Sequence, residues 1–142
     1  MKFLSRHRHL TLGLALLALP AAASEGEAEY REHVLEAVGG HMQAAADIVR
    51  GKVPHQDHLT LHANALNDLA GIAPLLFPPG SEGGDALPAI WQNADDFEAK
   101  LTGFQEAAAG FAAAARSGDG VGPALQQLGQ SCKSCHDDYR KE

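Results

Sequence analysis

Near its C-terminal end the chain reads Cys132-Lys133-Ser134-Cys135-His136. In a helix, Cys132, Cys135 and His136 project from one face, because residues three and four positions apart lie one above the other. Two sulfurs so arranged can bond the two vinyl groups of one porphyrin edge, while the imidazole binds the iron. A Cys-x-x-Cys-His segment is typical of a covalently attached c-type haem. The segment therefore predicts one covalent haem c per chain.

Two other chemistries use a Cys-x-x-Cys pair. A thioredoxin-like redox pair belongs near a βαβ unit, and this sequence has no convincing strand alternation. A structural zinc site needs two further cysteine or histidine ligands at suitable spacing, and the chain has no third cysteine. Covalent haem attachment is the interpretation that the residues favour.

The N-terminal residues have the pattern of a secretory signal peptide. A basic segment over residues 1–9 precedes an apolar run over 10–19, and the small residues Ala21-Ala22-Ala23 form a cleavage site. The apolar run is too short for a comfortable transmembrane helix. We expect cleavage after Ala23 and a single mature domain over residues 24–142. Because covalent haem attachment in bacteria follows export, the expected location is the periplasm.

Charge and cysteine content narrow the possible partners. The chain has 18 Asp and Glu against 11 Lys and Arg, a formal net charge of −7. The only charged residues in the leader are basic, so its removal makes the net charge more negative. Such an acidic domain is a poor partner for nucleic acid or for an anionic membrane surface, and no second apolar stretch is long enough to span a membrane. Both cysteines belong to the haem segment, so no structural disulfide is expected.

Proline and glycine divide the mature sequence into four helical stretches. We expect helices over residues 25–50, 54–72, 88–117 and 123–139, and a long irregular loop over 73–86. Four amphipathic helices of this length, joined by short turns and one longer loop, predict an all-α fold, an antiparallel four-helix bundle that encloses the covalently bound haem.

The first helix has an inward stripe at steps of three, four and seven residues, formed by Arg31, Leu35, Val38, Met42 and Val49. Gly39-Gly40 lies in the middle of this helix, where glycine costs stability relative to alanine. Close approach of a neighbouring helix, or of the porphyrin, would compensate for that cost.

In the second helix, Leu61 is expected to widen an apolar stripe that includes Leu59, Leu66 and Leu69. The chain also carries several histidines near these two helices. His55, His58 and His62 have a spacing that could hold a metal on one helix face, but with no clear further ligand we expect them to face solvent. His33 and His41 are expected to be surface or interface residues.

The chain resembles the cytochromes c′, the class II c-type cytochromes, over essentially all of its mature sequence. Ordinary class I cytochromes c carry their haem segment near the N-terminus, so its C-terminal position discriminates between the classes. The resemblance rests on these stretches: Tyr30-Arg31-Glu32, Gly39-Gly40-His41-Met42, Gly51-Lys52-Val53-Pro54, Leu76-Phe77-Pro78-Pro79-Gly80-Ser81, Glu82-Gly83-Gly84-Asp85-Ala86-Leu87-Pro88-Ala89-Ile90-Trp91 and Ser131-Cys132-Lys133-Ser134-Cys135-His136-Asp137-Asp138-Tyr139-Arg140.

The resemblance implies a role for each matching residue. Cys132 and Cys135 would form the thioethers, and His136 would be the axial iron ligand. Three residues, Arg31, Glu32 and Asp85, match haem-contacting positions, with Arg31 near a propionate because a guanidinium suits a carboxylate. The position of Glu32 is often glutamine in relatives, and a carboxylate there would repel a propionate. Arg140 would lie on the proximal side, one turn after His136.

The residue that faces the sixth coordination site in relatives corresponds to Leu35. Leucine cannot ligate iron, so the resemblance implies five-coordinate, high-spin iron and an apolar distal pocket that accepts NO and CO. The alternative is a low-spin electron-transfer cytochrome with Met42 as the iron ligand. Met42 lies seven residues, roughly 10 Å, beyond Leu35 along the helix, which favours a packing role for it.

The resemblance leaves two functions open, binding of NO or CO and electron transfer to a redox protein partner. An exposed haem edge and an acidic surface would suit a basic partner. An enzyme such as a peroxidase is not expected, because cleavage of the O–O bond needs a distal His or Arg where Leu35 stands. Relatives commonly dimerise through their first two helices, and a homodimer is expected here.

Overall fold

The structure is a computed structural model that describes the backbone of residues 21–142 and the side chains of residues 25–142. Its helices are α1 (Ala21–Val49), α2 (Leu59–Ile72), α3 (Ala89–Gln92), α4 (Ala94–Ser117) and α5 (Val121–Tyr139). The basic and apolar segments of the expected leader lie outside the described residues. Within residues 21–142, no helix is both long and apolar enough to cross a membrane.

The helices agree with the predicted ones apart from their ends. The second helix begins at Leu59, because Gln56–His58 form a short 3₁₀ turn before it. The third is divided at Asn93, whose backbone leaves helical geometry at φ −119° and ψ 50°. Gly118 and Gly120 both have positive φ, which ends α4 and lets α5 begin within a few residues. The predicted all-α fold with four long helices is therefore confirmed over the described residues.

The long helices pack in the order α1, α2, α4, α5, with extensive contacts between each successive pair. Leu66, Phe111 and Leu128, from α2, α4 and α5, are among the largest fully buried side chains of the core. By contrast, α1 and α5 scarcely touch. The bundle is consequently open along one seam, between the first helix and the helix that carries the two cysteines.

One prediction about helix faces is wrong, and one of the two explanations offered for the glycine pair is removed. Leu61 is 61 % exposed and points away from the core, because the buried face of α2 follows Leu59, Ala63, Leu66 and Ala70. The glycine pair Gly39-Gly40 does not receive a neighbouring helix, since a Cβ at either position would meet no atom within 4 Å among the described residues. Gly39 instead lines the open seam, which leaves the porphyrin as the expected neighbour.

The histidines of α1 and α2 also differ from expectation. His55 and His58 are exposed, as predicted, and their rings stack at 5.1 Å. His62 was expected to face solvent, but it is half-buried and lies against His41 of α1, with 3.0 Å between the two Nδ1 atoms. The prediction is wrong for His62 because α2 turns that position toward α1.

The end of the long loop is tied to the end of α5. The backbone N–H of Leu87 donates to the carbonyl of Tyr139 at 3.0 Å, and that of Lys141 donates to the carbonyl of Asp85 at 2.9 Å. Tyr139 is buried and its hydroxyl donates to the carboxylate of Asp96 on α4 at 2.6 Å. These contacts hold the loop, α4 and α5 in register around the open seam.

Candidate functional site: the cleft between the first and last helices

A cavity of about 690 Å³ fills the seam between α1 and α5. Leu35, Val38 and Met42 line it from α1, Cys132 and Cys135 line it from α5, and Phe104 lines it from α4. Cofactor clefts typically have volumes of about 300–1,000 Å³ and mostly apolar walls. The cavity has the size and lining of such a cleft.

Cys132 and Cys135 lie one turn apart on α5, both half-buried and packed against the core. No disulfide joins them. Burial raises the pKa of both thiols, that of Cys135 to about 11. The two sulfurs are therefore held as neutral thiols at one wall of the cavity. A turn of helix in which both line the same cavity is the arrangement that two thioether bonds to one macrocycle need.

His136 follows on the same helix and also lines the cavity. Burial lowers the pKa of its imidazole, and the positive charge of Arg140 one turn later lowers it further. Both effects favour the neutral imidazole, which is the form of histidine that binds a metal. The structure thus brings the three residues of the haem segment to one cavity, as the sequence predicted.

Arg31 is 2 % exposed and holds the long loop against α1. Its guanidinium donates to the carbonyls of Leu76 at 3.2 Å, Ser81 at 3.0 Å and Gly83 at 3.1 Å, and to the hydroxyl of Ser81 at 3.2 Å. The fork of donors on arginine suits several carbonyls at once. Arg31 therefore shapes one wall of the cleft, a role that the sequence did not indicate.

Aromatic rings complete the environment of this guanidinium. It lies 5.1 Å from the ring centre of Phe77 and 5.9 Å from that of Trp91, both within the range of a cation–π contact. Burial lowers the pKa of Arg31, and acidic neighbours led by Glu32 oppose that shift. The side chain also lines the cavity. Its contact with a haem propionate stays a prediction.

Ser81 is a structural residue of the site that the sequence analysis missed. It is 1 % exposed, accepts from Arg31, and donates through its hydroxyl to the carbonyl of Pro78 at 2.8 Å. Trp91 donates to the same Pro78 carbonyl at 3.3 Å. A serine in a loop rich in proline and glycine carries no periodic signal, so only the folded chain reveals its position.

We expect Arg31→Met to destabilise the protein by about 3 kcal/mol, because truncation leaves several buried carbonyls without a donor. Unfolding by denaturant, followed by far-ultraviolet circular dichroism, measures the loss. Arg50→Met is the matched control, since Arg50 is exposed at the end of α1 and should change the free energy of unfolding by less than about 0.5 kcal/mol. Equal effects of the two substitutions would contradict the structural role of Arg31.

Glu32 also lines the cavity, and its carboxylate lies against the backbone of Gly84. A side chain at Gly84 would collide with that carboxylate, and Gly84 has φ +56°, a conformation that favours glycine. The loop therefore approaches α1 closely at this point. Glu32 is exposed, which lets water screen its charge at the cavity mouth.

Asp85 and Arg140 pair at the same mouth, with 3.2 Å between Oδ2 and Nη2. Both side chains are more than half exposed, so the pair contributes little to stability. The ion pair instead helps to fix the position of the loop, because it reinforces the backbone contacts between the loop and the end of α5. The sequence predicted Asp85 and Arg140 as separate haem neighbours, and the structure shows them as one closing contact beside the cavity.

Leu35 and Met42 occupy different parts of the α1 wall. Leu35 is 38 % exposed and lies one turn after Arg31. Met42 is half-buried against the core, and its methyl group lies 3.6 Å from the point that a Cβ on Gly129 of α5 would occupy. The small residue on α5 makes room for the methionine, which is consistent with the predicted packing role of Met42.

The residues present fit a covalent haem. The cavity opens between the two helices that scarcely contact each other, its walls are mainly apolar, and both cysteines and the histidine line it. Charged residues, among them Glu32, Asp85 and Arg140, stand at its exposed edge. An apolar interior with a charged mouth suits a macrocycle that buries its ring and leaves its carboxylates near water.

Known proteins of the same kind match most of the chain. A family model described as Cytochrome C′ matches residues 27–140. Cytochrome c′ of Pararhodospirillum photometricum is 37 % identical over 125 residues, which cover 84 % of this chain and all of the relative. A cytochrome c-556 of Agrobacterium tumefaciens (strain II Chrys) is 39 % identical over 118 residues, covering 81 % of this chain and 97 % of the relative.

Solved structures of related proteins have the same fold. The nitric oxide complex of a leucine-to-isoleucine variant of cytochrome c prime from Alcaligenes xylosoxidans superimposes with a TM-score of 0.79 at 34 % identity, covering 84 % of this chain and 97 % of that one. A carbon monoxide-bound leucine-to-glycine variant of the same protein has the same TM-score, identity and coverage. The predicted four-helix bundle and the predicted covalent haem c, one per chain, are confirmed by this kinship. The chain belongs to the cytochrome c′ family.

Proposed function

We propose that this chain is a periplasmic haem c protein, exported with loss of residues 1–23, whose iron is five-coordinate and high-spin and binds NO and CO at an apolar distal site. The observation that carries the proposal is the position of Leu35. It lines the cavity from α1, while the histidine of the haem segment lines it from α5. A side chain that cannot ligate iron therefore stands on the opposite wall.

The haem supplies the iron that binds a diatomic gas, and the chain supplies the selectivity of its pocket. His136 would bind the iron through a neutral imidazole. Leu35 offers no hydrogen bond, so a polar bound dioxygen gains nothing from the pocket, whereas NO and CO need no such donor. A ligand that enters from the α1 side would have to displace this side chain.

The comparisons support the gas-binding part of this proposal through two related structures that hold NO and CO. Electron transfer is the second candidate function, and a different observation favours it. Glu32, Glu36 and Asp85 are exposed at the cavity, and the whole chain is acidic. An acidic protein surface suits a basic redox protein, whose approach would weaken as salt screens the charges.

The ferrous absorption spectrum separates these readings. We expect a high-spin spectrum that changes on addition of CO and of NO. Met42→Ala should leave the spin state unchanged, because Met42 packs near Gly129 and not beside Leu35. A low-spin ferrous spectrum that becomes high-spin in Met42→Ala would overturn the proposal and make methionine-ligated electron transfer the leading function.

We also propose that the protein is a homodimer through α1 and α2. These two helices carry exposed large apolar side chains, including Tyr30 at 54 % and Leu61 at 61 % exposure. Burial of such side chains in a second copy would remove apolar surface from water.

Light scattering at high micromolar concentration should give twice the mass of one chain. Leu61→Glu should shift the mass toward that of a monomer, because it places a charge in the interface. Thr102→Glu, at an exposed position of α4, is the matched control and should stay dimeric. A monomer mass for the unmodified protein would refute the dimer.

A further inference from the structure

The interface between α1 and α2 contains a pair of histidines that the haem site does not use. His41 of α1 and His62 of α2 approach to 3.0 Å between their Nδ1 atoms, with ring centres 5.2 Å apart and ring planes at 55°. Both are half-buried, and neither lines the haem cavity. The pair joins two helices across 21 positions of sequence, so it is a feature of the fold and not of a local motif.

Two ring nitrogens at this distance must share a proton or another cation between them. In the protein alone, one Nδ1 carries a proton and donates it to the lone pair of the other. Among the described residues, each ring makes its hydrogen bond to the other ring, with no carboxylate or carbonyl partner. The tautomers are therefore free to change. When both protons move to Nε2, two lone pairs point into the same gap, which is the donor set of a metal chelate.

The distance is short enough for one metal ion to bind both nitrogens. Two imidazole nitrogens bound at 2.0–2.1 Å are about 2.9 Å apart when they subtend a right angle and about 3.3 Å apart at a tetrahedral angle. The observed 3.0 Å lies within this range, so one metal ion could bind both nitrogens with little movement of the rings. Right-angled nitrogen ligands belong to square-planar or tetragonal sites, which Cu²⁺ and Ni²⁺ prefer, and Cu²⁺ binds most tightly of the divalent series.

We propose that His41 and His62 form a second metal site, selective for Cu²⁺, that bridges α1 and α2 through the two Nδ1 atoms. Water completes the coordination, because both rings are partly open to solvent. Burial lowers the pKa of His62, and the neighbouring His41 and His58 lower it further, which favours the neutral ring that binds a metal. Binding releases no net proton, since each neutral ring keeps one N–H.

The test uses the haem-loaded protein in its oxidised form and titrates it with CuSO₄, followed by calorimetry and by electron paramagnetic resonance of the copper. We expect one Cu²⁺ per chain, a copper signal with two nitrogen ligands, and weaker binding of Zn²⁺ under the same conditions. His41→Ala and His62→Ala should each weaken Cu²⁺ binding by at least about tenfold, because loss of even an outer partner of a ligand has an effect of that size.

Matched controls are His33→Ala on α1 and His55→Ala before α2, both at exposed positions, and both should keep the affinity of the unmodified protein. Copper should also raise the melting temperature of the unmodified protein and of the controls, because it binds the folded state across two helices. It should not do so in His41→Ala or His62→Ala. Equal binding by all four variants, or tighter binding of Zn²⁺ than of Cu²⁺, would overturn the proposal. An unchanged haem spectrum in each variant shows that the fold and the haem site are intact.

Discussion

The unmodified protein, purified from the periplasm, is expected to keep its haem through acid-acetone extraction, and Cys132→Ala with Cys135→Ala is expected to lose it. Thioether bonds are covalent and survive unfolding, whereas a haem held by packing and one iron–histidine bond leaves with the solvent. Intact mass measures both outcomes. The unmodified protein should show a chain that begins at Ser24 plus one haem, and the double variant should show the chain alone.

Ser134→Ala is the matched control for this experiment. Ser134 lies between the two cysteines on α5 and is exposed, so its loss changes the segment without removing a sulfur. It should retain covalent haem in full. Haem that extracts freely from the unmodified protein would refute covalent attachment, and a mass that still contains residues 1–23 would refute export with cleavage after Ala23.

Leu35→Ala is expected to speed CO binding to the ferrous protein by about 5- to 30-fold. In the proposed site, Leu35 has to move before a ligand can enter from the α1 side. Burial of a whole leucine contributes about 1.5–3 kcal/mol, and at 38 % exposure part of that, about 1–2 kcal/mol, opposes its displacement. A barrier lower by this amount corresponds to the stated range of rates. Flash photolysis or stopped-flow mixing with CO measures the rate.

Leu61→Ala provides the matched control, because it removes the same atoms from an exposed position on α2. It should leave the rate of CO binding unchanged. An unaltered rate in Leu35→Ala would show that Leu35 does not cover the ligand site. The same result together with a low-spin ferrous spectrum would move the distal assignment to Met42.

Local sequence was sufficient for the helices and for the haem segment. The helices are marked by periodic apolar residues, and their ends by glycine and proline. These signals act over one or two helical turns, so the sequence alone was enough to predict them. The segment from Cys132 to His136 spans little more than one turn, and its chemistry depends on spacing alone. The division of the third helix at Asn93 was missed, because no proline or glycine marks it.

The cleft and its supports depended on tertiary structure. Arg31 reaches carbonyls 45 to 52 positions away, and its prediction as a propionate partner did not anticipate that it also holds the loop. Asp85 and Arg140 meet across 55 positions, and His62 turns toward His41 although the lack of a further metal ligand led us to expect a solvent-facing residue. Periodicity states that a residue is on the inner or outer face of its own helix, but it does not state which helix lies opposite.

The same reasoning explains why the haem could be predicted and its cavity could not. Covalent attachment depends on five consecutive residues, which a local sequence pattern can identify. The cavity exists because α1 packs on α2, α2 on α4 and α4 on α5, while α1 and α5 remain apart. That gap is a property of four helices packed together, and its shape comes from contacts between residues far apart in the chain, which no local pattern encodes.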